Sequence, residues 1–488
     1  MVASRLTGFV SVAALLLAGC GSGGGVSNTA SAPPTASPTP TPAPPAADAT
    51  CSLRGRQDFA FATLREWYLF PETLPLVLDP SPFTSVDAYV DALTATARTQ
   101  RRDRFFTYVT SIAEENAFFN SGSTAGYGVR LAVDSTARRL FISEAFESAP
   151  ALTAGIDRGT EILAIGMTTA TLRTVTDIIA SEGSAGITTA LGPDAVGTTR
   201  SLRVVTGGTT SVVTIAKADF AISPVSTRYG AQIINDGGRR VGYLNLRTFI
   251  STADAQLRSV FDQFRTQGIT NFIIDFRYNG GGLVSTAELM GDLLGGNRQT
   301  SQVFSVTSFR PEKTANNSTK RFAPVSQSVS PVKIAFIGTG STASASEVVI
   351  NSFIPYLGND MALIGSNTFG KPVGQIAIDR AACDARIRVV AFATQNSAGQ
   401  ANYFNGLATV VPRTCRATDD ITRPLGDPQE ASVRAALNFI GGVTCTPISA
   451  VGDLTQSSGR AIAAAAPAPE LLTPADPSVS QREVPGLF

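Results

Sequence analysis

Histidine is absent from all 488 residues of this sequence. Imidazole is the side chain that most often takes the proton from a catalytic serine, so a serine hydrolase built on this chain would need another base. Lysine is the obvious substitute, because an arginine guanidinium does not lose its proton in proteins. Only five of the 39 basic residues are lysines, and one of them, Lys371, lies in a glycine-flanked turn where a base could be held.

Charge is also sparse. Charged residues make up 16% of the chain, the net charge is +1, and neither sign forms a run. Nucleic-acid binding therefore has no electrostatic support. Without histidine, and with its cysteines scattered, the sequence offers no cluster of metal ligands, and we expect neither a metal nor an organic cofactor. A hydrophobic fraction of 43% in a chain of this length predicts two or three domains with their own cores.

The N-terminus has the pattern of an export signal. Arg5 gives a weak positive start, and the apolar stretch from Phe9 to Leu17 is too short to span a bilayer. The segment ends in Leu17-Ala-Gly-Cys20, which resembles the lipobox of bacterial lipoproteins and implies cleavage before a lipidated Cys20; the alternative is a signal peptide that happens to end in cysteine. Ser22 in place of Asp favours the periplasmic face of the outer membrane, if the cell is Gram-negative. We therefore expect a lipid-anchored protein of the cell envelope.

Composition divides the rest of the chain into segments. The Gly/Ser/Pro-rich stretch 21–50 cannot bury a core and predicts a disordered tether, and the Ala/Pro-rich stretch 448–488 predicts a loose tail. Between them we expect an N-terminal helical region at 51–122, a β-rich domain at 123–222 and a larger core at 223–447. Helix and strand alternate in that core, which predicts an α/β fold.

Four cysteines remain besides Cys20, and an even number in an exported chain suggests disulfides. Three connectivities are possible. We favour Cys383 with Cys415, and Cys51 with Cys445, which would join the two ends of the folded region. Buried free thiols are the alternative.

A serine-rich turn follows a predicted buried strand at 333–338 and precedes a helix. A helix N-terminus supplies unpaired N–H groups and a partial positive charge, both of which stabilise an oxyanion. Ser341, Ser344 and Ser346 compete as nucleophile. Ser346 is the natural helix cap, so Ser344, one step earlier on the bend, is the better candidate. Taken alone, the three serines could equally be capping a helix.

A glycine-rich turn, Asp275-Phe-Arg-Tyr-Asn-Gly-Gly-Gly282, follows another predicted strand. Its backbone N–H groups have no side chain over them, which suits one half of an oxyanion hole. A phosphate cradle is the rival interpretation, but the GxxxxGK[ST] arrangement is absent. A lysine base must lose its proton near neutral pH, so Lys371 should be buried among apolar groups, for which Ile364 and Phe369 are the nearby candidates.

Three segments in this order, 275–282, 342–347 and 368–375, resemble the serine C-terminal processing peptidases, also called tail-specific proteases. The resemblance implies a mixed α/β fold with a crotonase/ClpP-like protease core. It assigns Ser344 as nucleophile, Lys371 as general base and Gln375 as the residue that orients the lysine. It also assigns the oxyanion hole to the backbone N–H groups of Ala345 and Gly281.

The order of elements between 123 and 222 resembles a PDZ domain of the bacterial protease type, inserted as an all-β unit beside the small N-terminal helical cap. The resemblance places a peptide-carboxylate-binding loop at Tyr127, Gly128 and Val129, where backbone N–H groups hold a peptide that adds a strand to the sheet. An ordinary β-sandwich fragment is the alternative.

Together these patterns predict an exported serine endopeptidase with a Ser/Lys pair that cuts peptide bonds near exposed C-termini of envelope proteins. The expected partner is a protein or peptide substrate, and the membrane is contacted only through the lipid anchor. A non-catalytic peptide-binding scaffold lipoprotein of the same fold is the alternative. A crotonase-like acyl-CoA enzyme is disfavoured by export. The sequence leaves the oligomeric state open.

Overall fold

A computed structural model describes residues 49–449 and 469–488. The predicted signal peptide with Cys20, and all but the last two residues of the predicted tether, lie outside the described residues. Within the described ranges, none of the helices combines the length and the apolar character needed to cross a bilayer.

The N-terminal region is largely helical, as expected, but it also supplies a strand. Its apolar side chains form one cluster that continues into the hydrophobic residues of a later sheet, so this cap is packed on the core rather than separate from it. Its elements are α1 (Leu53–Trp67), α2 (Val86–Leu93), α3 (Ala95–Thr99), β1 (Tyr108–Ser111) and α4 (Ile112–Ser121).

The inserted domain follows directly, and most of its strands form one sheet in the order β3-β4-β5-β7-β8, with the two-residue β6 beside β5. The expectation that this domain is all-β is wrong, because it contains a helical segment of 17 residues that is kinked at Gly183. Ile178, Ile187 and Leu191 of that helix are buried against the sheet. Its elements are β2 (Ser123–Gly126), β3 (Val129–Asp134), β4 (Arg139–Ala145), α5 (Pro150–Thr153), β5 (Glu161–Gly166), β6 (Arg173–Thr174), α6 (Val175–Leu191), β7 (Thr199–Thr206), β8 (Thr209–Ala216) and β9 (Ala218–Ala221).

The larger core alternates strands and helices, as the sequence predicts. Its elements are β10 (Ala231–Asp236), β11 (Arg239–Asn245), α7 (Ala253–Thr266), β12 (Asn271–Asp275), α8 (Val284–Leu294), β13 (Val303–Phe309), β14 (Ser318–Arg321), β15 (Lys333–Gly338), α9 (Ala345–Leu357), β16 (Met361–Gly365), β17 (Val373–Arg380), β18 (Ala385–Gln395), β19 (Thr414–Arg416) and α10 (Ala431–Ile440).

A six-stranded sheet, ordered β10-β11-β12-β15-β16-β19, organises this core. From β11 to β19 all neighbours are parallel, and only β10 runs antiparallel to its neighbour. Strands buried on both faces read as continuous apolar runs, which is why 333–338 contains almost no polar residue. Helices α7, α8 and α9 cover one face of the sheet, and α10 covers the other.

A second, antiparallel sheet lies around β18, which pairs with β1, β13 and β17. Because β1 belongs to the N-terminal region, this sheet joins the helical cap to the core. The strand β17 carries Gln375, and the turn before it carries Lys371.

The disulfide pairing differs from the one we favoured. All four cysteines of the folded region are oxidised, but Cys51 pairs with Cys383, and Cys415 pairs with Cys445. The bond from Cys51 ties the start of the N-terminal cap to the end of β17, which follows from the packing of the cap on that sheet. The bond from Cys415 ties β19 to the chain that leaves α10.

The predicted loose tail is also partly wrong. Residues 469–488 form a short strand, β20 (Glu470–Leu471), and a short helix, α11 (Val479–Glu483), and they pack on the rest of the fold. Val484, Leu487 and Phe488 are buried. These apolar residues are too few to predict a helix or a strand from sequence alone, yet each of them packs against the rest of the fold.

Candidate active site

Three turns meet at one edge of the six-stranded sheet. The glycine turn 276–282 follows β12, the serine turn 339–344 follows β15, and the lysine turn 366–372 follows β16. These three strands are adjacent and parallel, so their carboxyl ends lie at the same edge, where ligands usually bind in open α/β sheets. The sheet order thus brings together three segments that are about 30 to 60 residues apart in sequence.

Ser344 is held in an unusual backbone conformation at the start of α9. Its φ of 54° and ψ of −118° are rare for a residue with a side chain, and such strain clusters at functional sites. It also occupies the N-cap position that the sequence assigned to Ser346, whose hydroxyl instead donates to the carbonyl oxygen of Asn279 at 3.3 Å. Ser344 itself is half-buried. Of the three candidate serines, Ser344 therefore has the most exceptional geometry.

The carboxylate of Glu347 joins the serine turn to the lysine turn. Its Oε2 accepts hydrogen bonds from the backbone N–H of Ser344 at 3.0 Å and from that of Lys371 at 2.7 Å. Its Oε1 accepts from the Thr368 hydroxyl at 2.6 Å and from the Gly370 N–H at 2.7 Å. Glu347 has no exposed surface, and burial raises the pKa of its carboxyl group while these hydrogen bonds oppose the shift. One buried side chain therefore fixes both turns.

Lys371 and Gln375 contact each other as the resemblance implies. The Lys371 amine donates to Oε1 of Gln375 at 2.9 Å, and the amide nitrogen of Gln375 donates to the carbonyl oxygen of Phe106. The amine lies 5.1 Å from the centre of the Phe106 ring. Burial lowers the pKa of Lys371 below its ordinary value, whereas the nearby carboxylates of Glu483 and Asp103 act in the opposite direction.

The apolar surroundings of the amine are only partly those expected. Phe369 packs on Phe106 with ring centres 5.8 Å apart, but Ile364 belongs to the cluster on the opposite, α10 face of the sheet. Arg104 holds the lysine turn from outside by donating to the carbonyl oxygens of Phe369 at 2.5 Å and Gly370 at 2.7 Å. No hydrogen bond links the side chains of Ser344 and Lys371 among the described residues.

The glycine turn lies directly against the serine. A Cβ placed on Gly281, whose φ is +121°, would come within 2.7 Å of Ser344 Cβ and 3.2 Å of the Ala345 nitrogen. The N–H of Ala345 has no acceptor within the described parts of the chain. The N–H of Gly281, however, donates to Oδ1 of Asn279 at 2.9 Å. In this structure, therefore, only Ala345 offers a free donor of the predicted pair.

The predicted peptide loop lies at the edge strand β3 of the inserted domain. The backbone N–H groups of Gly128 and Val129 both donate to the main-chain oxygen of Phe488, at 2.9 and 3.2 Å. The side chain of Tyr127 faces the domain interior, and its hydroxyl donates to the carbonyl oxygen of Leu191 at 3.0 Å. Two of the three loop residues thus bind a peptide oxygen through their backbone.

Sequence reasoning missed Glu347, Phe106 and Arg104 as parts of the site. The spacing Ser344-Ala-Ser-Glu347 is that of a capping box, in which a glutamate accepts a hydrogen bond from the backbone of the N-cap residue. The contact between Glu347 and Ser344 could therefore have been predicted from the sequence. Phe106 and Arg104 belong to the N-terminal region, and nothing in their local sequence connects them to a lysine more than 260 positions later.

A strained serine at a helix N-terminus, a buried carboxylate that ties it to a lysine turn and an adjacent glycine turn are together typical of a hydrolase built on an α/β core. Residues 240–408 match the family described as Peptidase family S41. This range contains all three turns of the site, so the similarity to that family includes the residues of the candidate active site.

Curated relatives match over part of their length. The chain is 26% identical over 256 residues to a carboxyl-terminal-processing protease of Picosynechococcus sp., which is 51% of this chain and 55% of that protein. It is also 26% identical over 275 residues to the chloroplastic C-terminal processing peptidase of Tetradesmus obliquus, covering 53% and 54% of the two chains. The chain thus spans about half the length of the curated relatives it matches.

The fold has a solved counterpart. A Bacteroides fragilis crystal structure named as an S41 protease superposes with a TM-score of 0.61 at 22% identity, over 79% of this chain and 97% of that one. This likeness supports the mixed α/β fold.

Proposed function

We propose that this protein is a serine endopeptidase of the C-terminal processing type, in which Ser344 is the nucleophile and Lys371 the general base. The observation that carries the proposal is the carboxylate of Glu347, which binds the backbone N–H groups of Ser344 and Lys371 with one oxygen atom. The backbone N–H groups of two residues 27 positions apart in sequence thereby share one acceptor, which supports pairing their side chains in catalysis.

The lysine has the environment that a base requires. A protonated amine cannot accept the serine proton, and burial favours the neutral form. Gln375 takes one hydrogen bond from the amine and fixes its direction. In the reaction, the neutral amine of Lys371 removes the hydroxyl proton as Ser344 attacks the peptide carbonyl carbon, and the ammonium then protonates the leaving amine.

The developing oxyanion would be stabilised beside the serine. The N–H of Ala345 has no acceptor among residues 49–449 and 469–488, and it lies at the positive end of α9. The second donor would come from the glycine turn, where Gly281 can contribute once its N–H exchanges Asn279 for the substrate oxygen. The turn therefore has to adjust when substrate binds.

The inserted domain would recruit the substrate as a PDZ-like module. Gly128 and Val129 already donate to a main-chain oxygen, as a loop that holds the end of a peptide must do. The substrates would be envelope proteins or peptides with exposed C-termini, met by an enzyme anchored to the membrane through Cys20. Incorporation of a labelled fatty acid into the wild type and not into Cys20→Ala would test that anchor.

Hydrolysis of an unstructured reporter peptide tests the assignment. Ser344→Ala and Lys371→Arg should each lower kcat by at least about 1000-fold, since removing one member of a catalytic unit removes the shared step. Ser341→Ala and the matched control Lys313→Arg should remain within about two-fold of wild type. Turnover retained in Lys371→Arg would overturn the assigned base, and a wild-type protein that binds but never cleaves peptides would favour the scaffold alternative.

A further inference from the structure

Residues 469–488 occupy the free edge of β3, the strand beside the proposed peptide-binding loop. Glu470 and Leu471 pair antiparallel with Val133 and Ala132 of that strand. Further along the same edge, the N–H of Leu131 donates to the carbonyl oxygen of Gly486 at 2.8 Å. The segment therefore completes the sheet in the way that an added peptide strand does.

Phe488 fills the apolar end of this groove. Its N–H donates to the carbonyl oxygen of Val129 at 2.9 Å, and its own oxygen accepts from Gly128 and Val129. The Phe488 side chain is 3% exposed and belongs to the hydrophobic cluster of the inserted domain. Removing a phenylalanine side chain from water is favourable, so this residue anchors the segment.

The same segment reaches the active site through α11. The N–H of Gly280, in the glycine turn, donates to the carbonyl oxygen of Glu483 at 3.0 Å. A side chain on Gly280 would collide with the carbonyl oxygen of Arg482, so the segment lies directly on the turn. Lys371 lines a cavity of about 740 Å³, and residues 473–477 and 481–483 form another part of its wall.

The side chain of Glu483 also indicates that the docked segment blocks the active site. It is 7% exposed, and its Oε2 is a buried oxygen with no hydrogen-bond partner in the described part of the chain. It acts electrostatically on Lys371, and a carboxylate near an amine stabilises the protonated form. The docked segment thus opposes the neutral state that a base needs.

Arg130 connects the two places that the segment covers. Its guanidinium has no exposed surface, pairs with Glu144 at 2.7 Å, and donates to the carbonyl oxygens of Tyr278 at 2.9 Å and Pro485 at 2.7 Å. One side chain of β3 therefore bonds both the glycine turn and the docked segment.

We propose that residues 469–488 are an internal ligand of the peptide site, that they hold the enzyme closed, and that substrates ending in a large apolar residue displace them. This inference rests on the function proposed above. Phe488 defines the pocket that such a substrate residue would enter, and release of the segment uncovers Gly280 and the cavity around Lys371. Binding at one site thereby opens the other.

Competition between the segment and an added peptide tests the proposal. The probe is a fluorescent peptide with the sequence of residues 479–488, titrated into Ser344→Ala full-length protein and into the double variant Ser344→Ala/Phe488→Asp. A tethered ligand at an effective concentration of about 1 mM, with a dissociation constant of about 0.1 mM, weakens a competitor about ten-fold. The double variant should therefore bind the probe about ten times more tightly.

Enzyme activity provides a second test of the same proposal. Phe488→Asp should raise kcat/KM on a reporter ending in Gly-Leu-Phe by about ten-fold, while Glu312→Gln, at an exposed position outside the segment, should leave it unchanged. A chain that ends at residue 468 should behave like Phe488→Asp, and its unfolding curve shows whether it is folded. Tighter probe binding without hydrolysis in any variant would support the internal ligand and refute the peptidase. Equal probe binding and equal activity in all folded variants would refute the internal ligand and leave the peptidase standing.

Discussion

Replacing Glu347 by glutamine tests the contact that organises the site. The carboxylate accepts four hydrogen bonds of 2.6 to 3.0 Å from the serine and lysine turns. Glutamine keeps one acceptor oxygen but turns an NH2 group towards two of these donors. Each buried donor left without an acceptor costs roughly 1–3 kcal/mol. Losing a buried charge offsets part of this cost, and we expect the free energy of unfolding to fall by about 2 kcal/mol.

We expect Glu347→Gln to impair catalysis more severely than it impairs folding. The two turns lose their shared anchor, and a displacement of about 1 Å between reacting groups can lower the rate by about 100-fold. We therefore expect Glu347→Gln to stay folded and to lose about 100-fold in kcat, with a smaller change in KM. Urea unfolding and reporter hydrolysis measure the two effects, and Glu312→Gln, at an exposed position, serves as the matched control. A folded Glu347→Gln protein with wild-type kcat would refute the positioning role.

Three other predictions address separate parts of the structure. The value of kcat/KM should rise with pH as the Lys371 amine loses its proton, with a midpoint below the ordinary lysine pKa of about 10.4. A value of kcat/KM that does not change with pH below that pKa would contradict the assignment of Lys371 as the base. Gly281→Ala, which would place a methyl group 2.7 Å from Ser344 Cβ, should lower kcat by at least about 100-fold, whereas Gly340→Ala, with open space around it, should not. Replacing both Cys51 and Cys383 by serine should lower the free energy of unfolding by about 2–5 kcal/mol, and an unchanged urea midpoint would argue against that bond.

Local pattern was enough to predict the turns of the site. A buried strand followed by small residues and a helix marks the end of a parallel strand, and both the serine turn and the glycine turn have this pattern. Lys371 is favoured because a histidine-free chain leaves few bases. Ser344 is favoured because the sequence predicts Ser346 as the helix cap, and by the family resemblance, although the structure places Ser344 itself at the N-cap. The α/β core followed from the alternation of the same elements.

The features that could not be predicted from the sequence depend on contacts between residues that are far apart in the chain. Phe106 lines the lysine pocket because β1, which follows it, pairs with β18, and Cys51 meets Cys383 because the helical cap packs on the same sheet. Helix α6 contains Gly183 and Gly186, which weaken the helical signal. The helix is kinked at Gly183, whose φ is 67°, and its residues on either side of the kink are buried against the inserted sheet. Residues 469–488 have no strong pattern of their own, and their order comes from the edge of β3.

The protonation state of one amine tests the central claim most directly. With only five lysines in the chain, the 13Cε resonances of lysine-labelled protein can be followed by NMR as the pH is raised, and Lys371→Arg identifies the resonance of interest. The account predicts that this resonance titrates below the ordinary lysine pKa of about 10.4. A titration at or above that value would mean that the amine stays protonated and cannot act as the base.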